Sequence, residues 1–183
     1  MYNVSFISIS DKNDLSEYHQ KFCKKIGYEV PIDYFKLGKC YGLYVKGQLV
    51  AGFCLVKRPA YELRSLKQVP SFVSTFYTEE FIYDIAEFTG YFIEDKRYAF
   101  RFTVNLLKTV LSFPAKYYVY SYPLSQKGLS QYYAKGKPIK IYSGIPKKLE
   151  GHTDKMEPEH VEVLTKWGIF MVFWHRTKKY LRL

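Results

Sequence analysis

Two carboxylates stand in an apolar stretch of the chain. Residues 81–93 are rich in aromatic side chains and isoleucine, yet they include Asp84 and Glu87. Burial disfavours the charged form of a carboxylate and raises its pKa, which is what a general base working near neutral pH requires. Glu87, next to Phe88 on a predicted central strand, is therefore the candidate base, and Asp84 is its rival on the opposite face. The alternative for Glu87 is a structural role, facing solvent or paired with a lysine.

Three basic side chains mark the predicted start of a helix, namely Lys96, Arg97 and Arg101. Their charges add to the positive end of the helix dipole, and bare N–H groups at a helix N-terminus also bind anions. The cluster therefore predicts a phosphate site. Solvated surface charges are the alternative.

Other kinds of chemistry have little support in the sequence. The histidines have no metal-ligand spacing, and the acidic cluster around His160 lies in a polar segment, so no metal site is predicted. An odd number of cysteines without Cys-x-x-Cys spacing favours reduced core thiols. A Gly-x-Ser-x-Gly elbow and a Walker loop are both absent. The residues concerned are His19, His152, His160, His175, Cys23, Cys40 and Cys54.

Length and composition limit the classes of protein to which the chain can belong. The chain has 183 residues, a formal net charge of +11, and 48% hydrophobic and 19% aromatic residues. The length predicts a single domain, residues 1–183, and the apolar content excludes disorder. The longest apolar stretch, residues 168–174, is far shorter than the ~18 residues that a membrane span needs. Since the N-terminus also has no secretory signal, a cytoplasmic location is expected.

Hydrophobic periodicity in the first half predicts a strand, a helix and a hairpin. Alternation predicts a strand over residues 4–9, and a capping box from Asp14 to Glu17 predicts a helix that ends at Gly27. Two apolar runs, residues 40–45 and 49–56, predict a hairpin in which Gly47 takes a positive φ. Residues 57–80 read as a long connection around one short helix, and such connections are often functional.

The second half continues the alternation of strands and helices. It contains predicted strands over 81–93, 117–120 and 139–142, a helix over 97–113 that Pro114 ends, and a helical segment within 125–137. A loop over 147–159, closing strands over 161–164 and 168–175 and a basic tail over 176–182 follow. This order indicates an α/β or α+β domain with a mixed sheet, which residues 146–183 complete as a C-terminal extension.

Local patterns within residues 1–145 resemble the GNAT superfamily of acyl-CoA-dependent N-acyltransferases. Residues 44–53 are similar to the hairpin of the family's second and third strands. Residues 125–136 are similar to the helix that follows its fifth strand. There Tyr132 stands at the position of a tyrosine that many members use as general acid, and Ser125 at that of an Asn that often begins the helix. The resemblance implies a mixed, mostly antiparallel central sheet with helices on both faces.

Residues 97–102 stand where the family places Gln/Arg-x-x-Gly-x-Gly/Ala, between the fourth strand and a long helix. In the family, bare backbone N–H groups at this point bind the diphosphate of CoA. Arg97 matches, but Phe100 and Phe102 replace the glycines, whose missing Cβ lets a phosphate approach the backbone. The diphosphate-binding turn is therefore damaged or used differently. The donor-binding residues that the resemblance implies are Arg97, Phe100, Arg101 and Ser125.

Residues 87–93 are similar in shape to the Glu-Leu-Ser-Arg-Phe-x-Val strand of one branch, the acyl-homoserine-lactone synthases and long-chain N-acyl amino acid synthases, with Gly90 replacing the Arg. In that branch the donor is often acyl carrier protein, an acidic partner that a +11 surface would attract. A β-bulge in this strand would direct the backbone N–H groups of Tyr91, Phe92 and Ile93 at a thioester carbonyl.

The resemblance implies an N-acyltransferase that moves an acyl group from acyl-CoA, or from the phosphopantetheine of acyl carrier protein, to a small-molecule amine without a metal. Glu87 would act as base and Tyr132 would protonate the leaving thiolate, with the acceptor against residues 57–80. Two alternatives stay open. One is a basic nucleic-acid-binding or DNA-modifying protein of similar fold, suggested by its charge and aromatic content. The other is a catalytically silent interaction module, favoured by the lost glycines.

Overall fold

A seven-stranded sheet forms the centre of the described part of the chain, which in the computed structural model comprises residues 3–27, 29–70, 78–149 and 157–181, with side chains to residue 178. The strands are β1 (Val4–Ile9), β2 (Lys39–Val45), β3 (Gln48–Val56), β4 (Ile85–Ile93), β5 (Tyr117–Pro123), β6 (Ile139–Gly144) and β7 (Glu159–Thr165). Their order is β1-β2-β3-β4-β5-β7-β6, and of these neighbours β4 and β5 run parallel while the others are antiparallel.

Helices cover both faces of this sheet. They are α1 (Lys12–Ile26), α2 (Ile32–Lys36), α3 (Arg64–Lys67), α4 (Glu79–Tyr83), α5 (Ala99–Ser112), α6 (Lys127–Tyr133) and α7 (Lys166–Leu181). Buried side chains form two clusters. One lies under α1 to α4, on what we call face 1, and the other under α5 to α7, on face 2. The predicted fold class, a mixed sheet with helices on both faces, is confirmed.

Local signals explain where several elements begin and end. Asp11, not Asp14, caps α1, because its carboxylate accepts the N–H groups of Asn13 at 2.7 Å and Asp14 at 3.4 Å. Gly27 ends α1 with φ of 82°, as predicted. The hairpin prediction is also confirmed, since Lys46 (φ 51°) and Gly47 (φ 80°) form the two-residue turn between β2 and β3.

Two predicted strands are wrong in whole or in part. The first four residues of the 81–93 run do not belong to a strand, because Thr78 accepts the N–H of Phe81 at 3.2 Å and caps α4. Residues 168–175 are helical and belong to α7. The segment forms a helix rather than a strand because Ile169, Val172 and Phe173, which lie at helical spacing, can then all be buried on one side.

The long connection and the C-terminal region are partly described. A 3-10 turn (Ala60–Glu62) and α3 follow β3, and residues 71–77 lie outside the described part. The middle of the predicted loop over 147–159, with His152, also lies outside it. β7 takes its place between β5 and β6, and α7 is the last described element. In the ranges given above, no helix combines the length and apolar character that crossing a bilayer requires.

Candidate functional site

The parallel strands β4 and β5 pair along only a short length. Ile85 to Glu87 lie opposite Tyr117 to Val119, and the rest of β4 has no β5 partner in the described sheet. Glu87 therefore stands at the last paired position, where the two strands begin to separate.

A β-bulge interrupts β4 just beyond this point. Gly52 pairs with Phe92 and Cys54 with Thr89, so two β4 residues, Gly90 and Tyr91, lie opposite a single β3 residue. Gly90 has φ of 67°, a left-handed conformation that glycine adopts at little cost. The bulge on which the predicted role of Tyr91 to Ile93 depends is thus present. Their action on a thioester remains a prediction.

Glu87 is buried and hydrogen-bonded on face 1. Its side chain is 2% exposed, and one carboxylate oxygen accepts the Tyr34 hydroxyl at 2.7 Å and the Ser65 N–H at 2.9 Å. Burial raises the pKa of Glu87, and these two hydrogen bonds only partly oppose the shift. The solvent-facing alternative is therefore wrong. Tyr34 comes from α2 and Ser65 from α3, which ties the predicted base to both helices.

A small cavity of about 30 Å³ adjoins Glu87, with room for a water molecule. Its lining includes Ser65 and Gln68 from the 57–70 connection and Ser121 from β5. A second carboxylate, the half-buried Glu159, lies close by and accepts the Gln68 amide at 2.9 Å. Burial raises the pKa of Glu159. The hydrogen bond from Ser121 is the strongest of the contacts that lower it. No signal in the sequence links Glu159 to this site, since its partner Gln68 is 91 residues away.

Asp84, the rival base, lies outside the sheet. It ends α4 and pairs with the exposed Lys116, with its carboxylate 3.1 Å from the ammonium. Its place on the opposite face was predicted from the alternation of side chains along a strand. That alternation does not reach Asp84, because β4 begins at Ile85 and α4 precedes it.

Tyr132 lies on face 2, across the sheet from Glu87. Its hydroxyl is buried and has no hydrogen-bond partner in the described part of the chain. Burial raises the pKa of Tyr132, with the nearby Arg176 charge opposing, so the hydroxyl is protonated at neutral pH. The Arg176 guanidinium lies 5.9 Å from the centre of the Tyr132 ring.

Helix α7 joins Tyr132 to the bulged strand. Arg176 donates a hydrogen bond to the Tyr91 hydroxyl, and Phe173 lies 6.0 Å from the Tyr91 ring and 6.3 Å from the Tyr132 ring. Tyr91 and Tyr132, two predicted site residues, are thus brought together by α7, whose residues were predicted to form a strand and a basic tail. The helical spacing of residues 169, 172, 173 and 177 could have revealed it.

Two of the three predicted phosphate ligands, Arg97 and Arg101, lie at the start of α5 and are already engaged, while Lys96 is exposed in the preceding 3-10 turn. Asp95 caps the 3-10 turn before α5 by accepting the Arg97 N–H at 3.0 Å, and it pairs with the Arg97 guanidinium at 2.7 Å. Arg101 donates to the Val4 carbonyl at 2.9 Å. The ring of Phe102 is fully buried, whereas Phe100 is 40% exposed. A phosphate on the Arg97 backbone N–H would have to displace the Asp95 carboxylate, although the Arg97 side chain itself is 84% exposed.

The remaining predicted donor residues lie apart from one another. Phe92 is buried on face 1 with its ring centre 5.7 Å from that of Tyr18, while Ile93 packs against the face 2 cluster. Ser125 donates a 3.3 Å hydrogen bond to Glu157 near the start of β7. Within the described ranges, no group of three or more His, Cys, Asp or Glu side chains is placed to hold a metal ion.

Solved structures share this architecture. FeeM, an N-acyl amino acid synthase from uncultured soil microbes, is 12% identical with a TM-score of 0.61, and the match covers 91% of this chain and 94% of that chain. Arabidopsis thaliana NAA60 in complex with acetyl-CoA is 10% identical with a TM-score of 0.61, covering 89% and 98%. An N-acetyltransferase from Staphylococcus aureus Mu50 is 11% identical with a TM-score of 0.57, covering 90% and 98%.

No protein-family model and no curated protein sequence matches the chain. At the identities of these structural neighbours the likeness establishes the fold alone. The chain therefore has the GNAT fold, as its sequence pattern predicted.

Proposed function

We propose that this protein is an N-acyltransferase that moves an acyl group from a thioester donor to an amine. One observation carries the proposal: Glu87, a buried carboxylate with a raised pKa, stands where β4 and β5 separate. The GNAT fold supports it, because neighbours with this fold include an N-acyl amino acid synthase and NAA60 solved in complex with acetyl-CoA.

The proposed reaction needs one proton removed and one supplied. The amine nitrogen attacks the thioester carbonyl carbon, the tetrahedral intermediate collapses, and the C–S bond breaks to give an amide and a thiolate. Glu87 takes the proton that the amine loses, which a carboxylate of raised pKa does efficiently. Tyr132 donates a proton to the leaving thiolate, and the nearby Arg176 charge favours this transfer because it lowers the pKa of Tyr132 against the effect of burial.

The two groups lie on opposite faces of the sheet, so donor and acceptor approach from opposite sides. The donor lies on face 2, near Tyr91 and Tyr132, and the acceptor amine enters on face 1 beside Glu87. Backbone N–H groups of Tyr91 to Ile93 then polarise the thioester carbonyl from the bulge. Glu159 does not line the cavity beside Glu87, but it accepts a hydrogen bond from Gln68, which does, so a second carboxylate lies close to the proposed acceptor site.

Ser65 and Gln68 limit the size of what reaches Glu87 in this conformation. Both belong to the connection that was predicted to hold the acceptor, and both line the cavity of about 30 Å³. That volume admits about one water molecule. An amine substrate therefore requires the 57–70 connection to move away from β4.

The start of α5 favours a carrier-protein donor over a free CoA donor. A CoA diphosphate would compete with the Asp95 carboxylate for the Arg97 N–H and guanidinium. The phosphopantetheine arm of acyl carrier protein brings a single phosphodiester and needs no diphosphate cradle. The acidic body of the carrier complements the net charge of +11, and the exposed Phe100 offers it an apolar contact.

Thiol release tests the proposal. Acyl-CoAs and acyl carrier proteins of increasing chain length are mixed with a panel of small amines and amino acids, and the free thiol is measured with a colorimetric disulfide reagent. We expect release that depends on the amine and is lost in Glu87→Gln. The matched control is Glu80→Gln, which changes an exposed carboxylate paired with Lys116. Absence of amine-dependent release with every donor, or full activity of Glu87→Gln, would overturn the proposal.

A further inference from the structure

The two faces of the sheet differ sharply in charge. On face 2, α5, α6, the 3-10 turn Ala134–Gly136 and α7 contain eight Lys and Arg residues and no Asp or Glu. On face 1, α1 to α4 contain seven basic and five acidic residues. The positive charge of the protein is therefore concentrated on the helices of face 2. The exposed members of the basic set include Lys108, Lys127, Lys135 and Lys178.

An aromatic ladder runs along the outer side of α7. Trp167 is 66% exposed and Trp174 is 38% exposed, although both are large and apolar. Between them Phe170 stacks on both rings, with ring centres 4.9 Å from Trp167 and 5.8 Å from Trp174 and interplanar angles of 20° and 14°. The opposite side of α7 is the one packed into the core, through Ile169, Val172 and Phe173. Apolar side chains thus occupy both sides of this helix.

Basic groups border the ladder at both ends. The Lys178 ammonium lies 5.8 Å from the centre of the Trp174 ring. At the other end the half-buried Lys166, next to Trp167 in the chain, donates to the carbonyls of Leu111 at 3.0 Å and Phe113 at 2.8 Å, and Leu111 itself is 43% exposed on α5. An aromatic strip between lysines, on a face without exposed helix carboxylates, matches the composition of helices that lie in the interface of a bilayer.

We propose that face 2 binds the surface of an anionic lipid bilayer, with Trp167, Phe170 and Trp174 lying among the lipid headgroups. This is a surface contact and needs no spanning segment. Anionic headgroups attract the basic side chains of α5 to α7, each adding affinity, while the indole rings bury apolar edges and keep their N–H groups in the wet interface. The inference does not depend on the proposed acyltransferase activity.

The geometry of the rings favours a lipid bilayer over a nucleic acid as the partner of face 2. Bases bind proteins by stacking on free aromatic faces. In the ladder Phe170 uses both of its faces on the neighbouring tryptophans, and Lys178 lies over Trp174. Of these three rings Trp167 keeps an uncovered outer face for a base, and the rest of the ladder offers ring edges in a continuous apolar strip, which suits a fluid apolar phase better than a run of stacked bases.

The chain provides its own probe, because Trp167 and Trp174 are its only two tryptophans. Intrinsic tryptophan emission is recorded while vesicles of phosphatidylcholine with about 30% phosphatidylserine are added, and co-sedimentation measures the bound fraction. We expect a blue shift and sedimentation with these vesicles, weakened by salt, and at least tenfold weaker binding to pure phosphatidylcholine.

Two variants separate the charge from the aromatic contribution. Lys108→Glu/Lys178→Glu keeps both indoles as reporters and should lower affinity by at least tenfold, since each basic residue near the surface contributes about fivefold. Trp167→Ala/Trp174→Ala should abolish sedimentation. Matched controls on face 1 are Lys24→Glu/Lys36→Glu and Tyr61→Ala/Tyr83→Ala, all exposed, and these should bind as the unaltered protein does.

Several outcomes would overturn the proposal. One is no sedimentation of the unaltered protein with anionic vesicles at low salt. A second is a concentration-dependent blue shift without vesicles, with dimers in sedimentation velocity, which would assign the ladder to a second copy of the chain. A third is that the unaltered protein retards DNA or RNA but does not bind vesicles, and that the face 2 variants lose this retardation. Equal loss of vesicle binding in the face 1 controls would also contradict it.

Discussion

The hydroxyl of Tyr18 donates a 2.8 Å hydrogen bond to the carbonyl of Gly90, and this bond joins α1 to the bulge of β4. Tyr18 is fully buried, and a Cβ at Gly90 would lie 1.9 Å from its hydroxyl oxygen. Tyr18 also fills the space beside Gly52 on the neighbouring strand, where a Cβ would come within 2.6 Å of its ring. The shape of the bulge thus depends on a tyrosine 72 residues earlier in the chain.

Gly90→Ala should destabilise the protein strongly. The substitution places a side chain at φ of 67°, which costs about 1–2 kcal/mol, and overpacking against Tyr18 adds about 1–3 kcal/mol. Urea unfolding measures the loss. The matched control is Gly128→Ala in α6, where no atom lies within 4 Å of the new Cβ, and it should be neutral or stabilising by up to about 1 kcal/mol. A Gly90→Ala variant as stable as the control would contradict the tight fit.

Glu87→Gln should change how stability depends on pH. In the unfolded chain Glu87 ionises at its ordinary pKa, whereas in the folded protein burial keeps it protonated to higher pH. The contribution of the protonated group is fully present below the ordinary pKa and is lost as pH rises through the raised value. Glutamine does not titrate, and its carbonyl can accept the same two hydrogen bonds. The Tm of the variant minus that of the unaltered protein should therefore increase from about pH 4 to about pH 7.

A Tm difference that stays constant or falls over that range would show that the folded pKa of Glu87 is not raised. Glu80→Gln provides the control, because Glu80 is an exposed carboxylate in an ion pair with Lys116. Such surface pairs contribute little, so its Tm should stay close to that of the unaltered protein throughout.

Tyr132→Phe should separate activity from stability. Its hydroxyl is buried without a partner among the described residues, so removing it should leave stability unchanged or raise it by up to about 1 kcal/mol. If Tyr132 is the acid, kcat for amine-dependent thiol release should fall by about 10²-fold or more. Tyr118→Phe is the opposite case, because its hydroxyl donates to the Val110 carbonyl at 2.8 Å. That variant should lose about 1 kcal/mol and retain its kcat.

Asp95→Ala should reveal which donor the protein uses. Removing this carboxylate frees the Arg97 N–H and guanidinium for a phosphate. We expect KM for acyl-CoA to fall by roughly tenfold, the scale of one hydrogen bond to a charged group, while KM for acyl carrier protein stays within about twofold. Asp33→Ala, which breaks an exposed pair with Lys36 on α2, is the control. An unchanged KM for acyl-CoA would show that Asp95 does not compete with a phosphate.

Much of the sheet could be read from the sequence because its signals are local. Lys46 and Gly47 supply the left-handed turn of the hairpin, and Glu87 stood out as a carboxylate in an apolar strand. Its partners could not be read in the same way. Tyr34 and Ser65 come from short helices 53 and 22 residues away, and no periodicity in the sequence brings them to Glu87.

The helical spacing of the buried residues in α7 was obscured in the sequence by exposed apolar residues beside them. A helix is recognised when one side is apolar and the other polar. In α7 the buried Ile169 and Val172 face the core, while Trp167 and Trp174 stay exposed on the other side, so the run looks apolar throughout and resembles a buried strand. The contacts of Arg176 with Tyr91 and Tyr132 were missed together with the helix.

The position of β7 sets the order in which the sheet can close during synthesis. In the described sheet β6 pairs with β7, and β7 also covers the free edge of β5. As residues 139–144 leave the ribosome, the strand that will pair with them has not yet been made. Until residues 159–165 emerge, β5 and β6 both present unsatisfied backbone groups, and the nascent chain is most open to mispairing with other chains in this interval.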